Sequence, residues 1–360
     1  MTRLVYVFAA LVLLCACGDD GDGGGPASGR CQSSADVALL LAGYATRAEN
    51  TILASALEAQ ALQEAVADLP AGPTAADVLG LRERHRAAWS AYQLAAPYGY
   101  GPDGSDDVPA RINPYPIDTL AVLAIGTALP ATPNFDRGLA ALDYLLYAEP
   151  SEAALAQRMS QDAAYVDRLA TLTEHVVATH TAWLESWTNG RDDFRMRTGT
   201  AAGEGISVLI NAASRHFEDL RRDKLGTPLG VATLGVPNPQ TVEARYSGTS
   251  LRYLRLGVRA SDLFVLGDAS TSLSLDDYLR GLDSPDARSL ADELRAQYAL
   301  IAAALDDVPG DEPLQDLVAA PGELQPLYAA LSRQVVNLKT DLPAVSCVAI
   351  TYIDNPSDSD

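Results

Sequence analysis

Asp143 is the residue whose setting demands most explanation. It lies in the run at residues 135–147, where Leu139, Leu142 and Leu146 fall on one face of a helix turning about 100° per residue. A carboxylate beside that face must find a partner, line a cleft, or lose several kcal/mol to desolvation, on the order set by burying an unpaired charge. A salt bridge to Arg111 or Arg86 would supply the partner, and a bound ligand would supply the reason for a cleft. Asp118 follows Pro116 at a helix start, where its side chain can cap, and Arg111 precedes it in an irregular stretch. Asn134 and Asp136 offer side-chain oxygens at the start of the 135–147 segment.

The other titratable residues form weaker constellations. Glu174-His175 and His180 are suggestive of metal binding, but imidazoles five residues apart on a helix point about 140° away from one another. His216 and Asp219 are one turn apart, yet Arg215, Arg221 and Arg222 surround them and disfavour a cation. Glu204 stands between two glycines in the first turn of a helix. No phosphate-binding glycine loop, G-x-S-x-G elbow or H-E-x-x-H helix occurs.

The elements that must position these residues read as helices. Apolar positions recur at helical spacing over 36–68, with Ser34 available as a cap. The Pro70-Ala71-Gly72-Pro73 break and a Thr74 cap follow, and Val78, Leu81, His85, Ala88, Trp89 and Tyr92 continue the pattern to about residue 96. Residues 97–116 are irregular, and their Tyr and Pro content predicts a packed loop, with a short helix starting at Ile117. A long helix over 151–187, ended by Asn189-Gly190, and another over 200–224 follow. Residues 225–246 form a Pro/Gly-rich connection, then helices are expected over 249–266, 275–282, 286–305 and 322–341, with an extended tail over 345–353. Of the 360 residues, 48% are hydrophobic but only 6% aromatic, which favours packed helices over a β-sandwich. The fold class is all-α, built as antiparallel bundles.

The N-terminus carries the most specific local signal. Arg3, an apolar stretch at 5–14 too short to span a bilayer, and Leu14-Cys15-Ala16-Cys17 read as a lipoprotein signal peptide over 1–16, with Cys17 lipidated. An ordinary cleaved secretory signal is the alternative. Residues 17–33 are a flexible Gly/Asp/Ser tether, 34–353 the helical domain with halves near 34–224 and 247–341, and 354–360 a polar tail. Gly18 after the lipidated Cys is similar to lipoproteins released to the outer membrane. Cys31 and Cys347 then remain, and an oxidising compartment permits a disulfide closing some 300 residues, worth up to roughly 5 kcal/mol on the entropic account. Two unrelated buried thiols are the alternative. The net charge of −21 repels nucleic acid and anionic lipid heads and argues against either as a ligand.

Taken in order, several segments give the chain a family resemblance. Ala88-Trp89-Ser90-Ala91-Tyr92 with Pro97-Tyr98-Gly99, then Ile112-Asn113-Pro114-Tyr115-Pro116-Ile117-Asp118, then Lys224-Leu225-Gly226-Thr227-Pro228-Leu229-Gly230, Tyr246-Ser247-Gly248-Thr249-Ser250, and Leu338-Lys339-Thr340-Asp341 with Asp354-Asn355 make the chain similar to the imelysin-like family, peptidase family M75, of bacterial envelope proteins. Residues 137–147 fall where that family carries a Gly-x-His-x-x-Glu signature. Here Gly138 keeps the glycine, while Ala140 replaces the histidine and Asp143 the glutamate. The resemblance implies two antiparallel helical bundles, attachment to the cell envelope, periplasm or outer membrane, and an association with iron uptake. Asp118, Arg111, Gly138 and Asp143 are the candidates for a ligand cleft beside the 97–116 loop; the resemblance supplies Gly138 and Asp143 as its matching positions, iron as the candidate cofactor and Asp143 as the remaining half of a metal pair. The expectation is a non-enzymatic binding component, membrane-held through its lipid and open to envelope protein partners. A scaffold that has lost the metal site is the alternative, and a metallopeptidase a further one.

Overall fold

The computed structural model describes residues 33–132, 135–268, 272–310 and 313–352. The signal segment, Cys17, Cys31, most of the tether, Asn134 and the polar tail lie outside the described residues. Cys347 is disulfide-bonded.

α1 (Val37–Ala67) begins at Asp36, whose carboxylate accepts from the Leu39 N–H at 2.9 Å. Ser34, expected as the cap, stands outside it. A reciprocal capping box of Thr74 and Asp77 opens α2 (Ala75–Ala95) as its sequence requires, and Val78, Leu81, His85, Ala88, Trp89 and Tyr92 are all buried. The 97–116 loop packs, as its composition predicts. The Trp183 and Trp187 indoles both donate to the Tyr98 carbonyl, at 3.0 and 2.9 Å. Two short helices follow, α3 (Pro109–Ile112) and α4 (Thr119–Ala124). α5 (Gly138–Tyr147) comes next.

The helix expected over 151–187 is two helices, α6 (Glu152–Gln161) and α7 (Ala163–Met196), broken at Asp162. Asn189-Gly190 does not end α7. A Cβ at Gly190 would lie 2.5 Å from Pro102 Cγ, so the glycine lets the 97–116 loop approach the helix instead of stopping it. α1, α2, α5, α6 and α7 pack together as the first bundle.

α8 (Gly205–Asp219) runs into a π-helical turn at Leu220–Gly226. α9 (Ser250–Leu266), α10 (Leu275–Gly281), α11 (Pro285–Asp306), α12 (Leu314–Ala319), α13 (Gln325–Val336), a second π-helical turn at Asn337–Asp341 and α14 (Leu342–Ser346) complete the chain. The tail expected to be extended therefore starts helical, and among the described residues the only β pairing is an isolated bridge between Ser33 and Leu282. α8 packs on α9, α13 and the two π turns, and also on α7 and the short turn at Ala96–Tyr98, so it lies where the bundles meet. α2 and α9 join the bundles, and the Trp89 and Tyr253 rings meet there with centroids 4.6 Å apart. No described helix is long and apolar enough to cross a membrane.

Candidate functional site

α5 is buried nearly all round. Leu139, Leu142 and Leu146 point inward as their spacing requires, but Asp143 is not marginal, since it too is 0% exposed. Its partner is not an arginine. Asp143 Oδ2 accepts from the backbone N–H groups of Tyr246 at 2.9 Å and Ser247 at 3.4 Å, in the connection that leads to α9. Oδ1 has no partner among the described residues. Burial pushes the carboxyl up to about 7, opposed by the Ser247 and Tyr246 hydrogen bonds, while nearby Glu243 adds to the rise.

Asp118 and Arg111 are not at this carboxylate. Asp118 is exposed and caps α4, accepting from Leu120 N at 2.9 Å and Ala121 N at 3.1 Å. Arg111 is exposed, its Nε reaching the Asp107 carbonyl at 3.4 Å. Gly138 is structural. It holds φ +81°, and a Cβ there would lie 2.2 Å from the Ile112 carbonyl oxygen. The glycine thus lets α5 start against the turn that presents Asn113.

That turn leads to the polar centre that sequence reasoning missed. Glu243, 4% exposed, accepts at Oε1 from Gln93 Nε2 at 2.9 Å, from Asn113 Nδ2 at 2.5 Å and from the Lys224 ammonium. Four segments distant in sequence meet at this one oxygen: α2, the loop after α3, the π-helical turn and the connection before α9. Glu243 Oε2 and Asn113 Oδ1 have no partner among the described residues, so the centre retains acceptor capacity. Lysine occurs in this chain only at positions 224 and 339, against 24 arginines, and the compact three-donor ammonium is the cation that suits so crowded a site. That scarcity is the one sequence signal that marked it.

The centre is a wall between two cavities. One, of about 400 Å³, is lined by Gln93, Asn113 and Lys224 on the wall side, and by Tyr92, Tyr100, Tyr115, Phe135, Arg215, His216, Asp219 and Asp223 elsewhere. The other, of about 270 Å³, is lined by Ala140, Glu243 and Tyr246 among others. In the larger cavity Tyr100 Oη donates to Asp219 Oδ2 at 2.8 Å, and Arg222 reaches Asp219 Oδ1 at 3.0 Å. Burial, with Asp223 adding, pushes Asp219 up to about 7. His216 gives Nε2 to the Gly257 carbonyl at 3.3 Å, and burial pushes the imidazole down to about 4, so it is neutral at pH 7. His180 is likewise buried, paired with Ser55 at 2.8 Å and the Val176 carbonyl.

The residues at the signature position do not fit a resident metal ion. Ala140 offers no donor atom, one oxygen of Asp143 is held by two N–H groups, and Glu243 is already neutralised by Lys224. No group of three His, Cys, Asp or Glu side chains suited to a metal occurs among the described residues.

The buried carboxylate on α5 gives a prediction. Its native pKa lies near 7, against about 3.9 for a free aspartate. A raised carboxyl contributes stability that is complete below about pH 4 and is lost as pH rises through about 7. Asp143→Asn keeps an acceptor for Tyr246 and removes the buried charge. The variant is expected to be more stable than the parent by about 1–3 kcal/mol at pH 8, with the gain vanishing at pH 4. Urea unfolding at the two pH values checks this, and a loss of stability at pH 8 contradicts it.

Two helical bundles joined through α2 and α9, with a polar wall and a cleft at their junction, define an all-α, two-bundle protein with an interbundle site. The sequence model of the imelysin family, peptidase family M75, matches residues 45–341, and the chain belongs to that family. Two solved structures share the fold. One, from Parabacteroides distasonis ATCC 8503, carries the provisional name iron-regulated protein A precursor; it is 14% identical, with a TM-score of 0.70, over 88% of this chain and 97% of that one. The other is an imelysin-like protein from Psychrobacter arcticus 273-4, 16% identical with a TM-score of 0.67, over 88% of this chain and 98% of that one. No curated protein sequence matches the chain.

Proposed function

We propose that this protein is an exported, lipid-anchored binding component of iron or other nutrient uptake, and that its ligand enters the 400 Å³ cleft instead of coordinating to the signature position on α5. The observation that carries this is the site at the bundle junction, where a buried ion pair forms the wall of an accessible cavity of ligand size. The cleft suits binding better than hydrolysis. Its imidazole is tied to a backbone carbonyl and is a weak base at neutral pH. The name of the Parabacteroides protein supports the link to iron, and the lipobox around Cys17 supports export and anchoring.

Ala110 tests the assignment because it is exposed yet lines the cleft. Ala110→Trp fills the cavity mouth and is expected to leave stability within about 0.5 kcal/mol, as surface changes do. In a strain lacking the gene, the native chain should restore growth under iron limitation and the Trp variant should not. Equal rescue by a stably expressed Ala110→Trp chain would place the working site elsewhere.

A further inference from the structure

The lining of the larger cleft specifies a ligand class, provided the cleft is the working site as proposed above. Four aromatic rings border it, from Tyr92, Tyr100, Tyr115 and Phe135. Phe135 stands apart from the others. It is 53% exposed at the cleft mouth and sits at φ +51°, a conformation that bulky side chains avoid. Its backbone is held there by the Asp118 N–H, which donates to the Phe135 carbonyl at 2.9 Å. A solvent-facing aromatic ring in a strained conformation is the kind of feature that clusters at ligand clamps. The ring stacks on no other aromatic side chain among the described residues.

The charges around the cleft are matched within the protein. Arg215 pairs with Asp107 at 2.9 Å and stacks on Tyr100, Lys224 pairs with Glu243, and Arg222 joins Asp219 and Asp223 at 3.0 and 2.8 Å. A strongly charged ligand would have to break one of these pairs. By contrast, the hydroxyls of Tyr92 and Tyr115 have no hydrogen-bond partner among the described residues, and both phenols line the cavity. Their surroundings, burial first and the Glu243 charge second, hold them protonated, so they are donors.

We infer that the cleft takes a neutral, planar aromatic ligand bearing a hydrogen-bond acceptor, with its ring against Phe135 and its acceptor on the Tyr92 and Tyr115 hydroxyls. Offset ring stacking supplies preference for a flat π-system over a saturated ring of equal size. The phenols select for a carbonyl or ether oxygen, because leaving a buried donor unpaired is costly.

Calorimetric titration of the full chain with 2-acetylnaphthalene and with its saturated counterpart 2-acetyldecalin tests the inference. The aromatic ketone is expected to bind at least tenfold more tightly. Phe135→Leu should reduce that preference about fivefold, in line with the energy of an aromatic pair. Tyr115→Phe should weaken the aromatic ketone about fivefold and leave the melting temperature unchanged. Equal affinity for the two ketones, no binding of either, or an unaltered preference in Phe135→Leu would overturn the ligand class. The growth experiment with Ala110→Trp reads the cleft's importance independently of what fills it, so the two failures are distinguishable.

Discussion

Lys224→Met is expected to destabilise the protein by about 3–5 kcal/mol, because it strands the Glu243 carboxylate without its cation in a site 4% exposed to solvent. In a chain of this size that corresponds to a fall in melting temperature of roughly 5–10 °C. The loss has a pH signature. A carboxylate buried without a countercharge favours its protonated form. The deficit should therefore shrink as pH falls toward about 5 and be largest at pH 8. The double variant Lys224→Met/Glu243→Met should recover most of the loss, since a buried pair replaced whole by apolar groups is often neutral. A small deficit independent of pH would show that the pair is open to water and not the wall described above.

Gly138→Ala is expected to cost about 3 kcal/mol or more. Two causes add: a backbone at φ +81°, and a Cβ placed 2.2 Å from the Ile112 carbonyl oxygen and 2.7 Å from its carbon. Neither neighbour is a flexible side-chain end, so α5 and the 112–114 turn must separate. Because that turn carries Asn113, the substitution should also loosen the amide donated to Glu243. Gly80→Ala is the control. Gly80 lies exposed inside α2, with nothing within 4 Å of the place a Cβ would occupy, and the change should stabilise by about 0.5–1 kcal/mol. Denaturant unfolding of both variants separates the special glycine from the ordinary one.

Local signals in the sequence gave way to tertiary ones in a consistent pattern. Capping and periodicity were legible. Thr74 with Asp77 opens α2, and the periodic positions from Val78 to Tyr92 in α2 and Leu139, Leu142 and Leu146 in α5 bury, while Leu53 and Leu57 on α1 stay exposed. The Tyr/Pro-rich loop packs because its carbonyl at Tyr98 meets two indoles from α7. Gly190 was misleading, since a glycine used for close approach reads like one used for termination. Asp143 was legible as an uncomfortable carboxylate, but its partners are backbone N–H groups 103 and 104 residues away, which no side-chain pattern records. Glu243 was invisible for the same reason. It lies in a connection without periodicity, and its three donors come from three other segments. The family resemblance included the Asn113 loop and the segment from Lys224, both of which reach the Glu243 centre, while centring attention on the signature positions Ala140 and Asp143.

On the function proposed above, the bundle junction divides its labour: the signature position on α5 is framework, its Asp143 held by the backbone N–H groups of Tyr246 and Ser247, and the adjoining cleft is the proposed binding site. Titration of the purified chain with ferrous iron under anaerobic conditions, read by calorimetry and by metal content after gel filtration, tests this most directly. No saturable iron binding is expected of the native chain, and Asp143→Ala should give an identical trace. One equivalent of iron retained by the native chain and lost in Asp143→Ala would contradict that division.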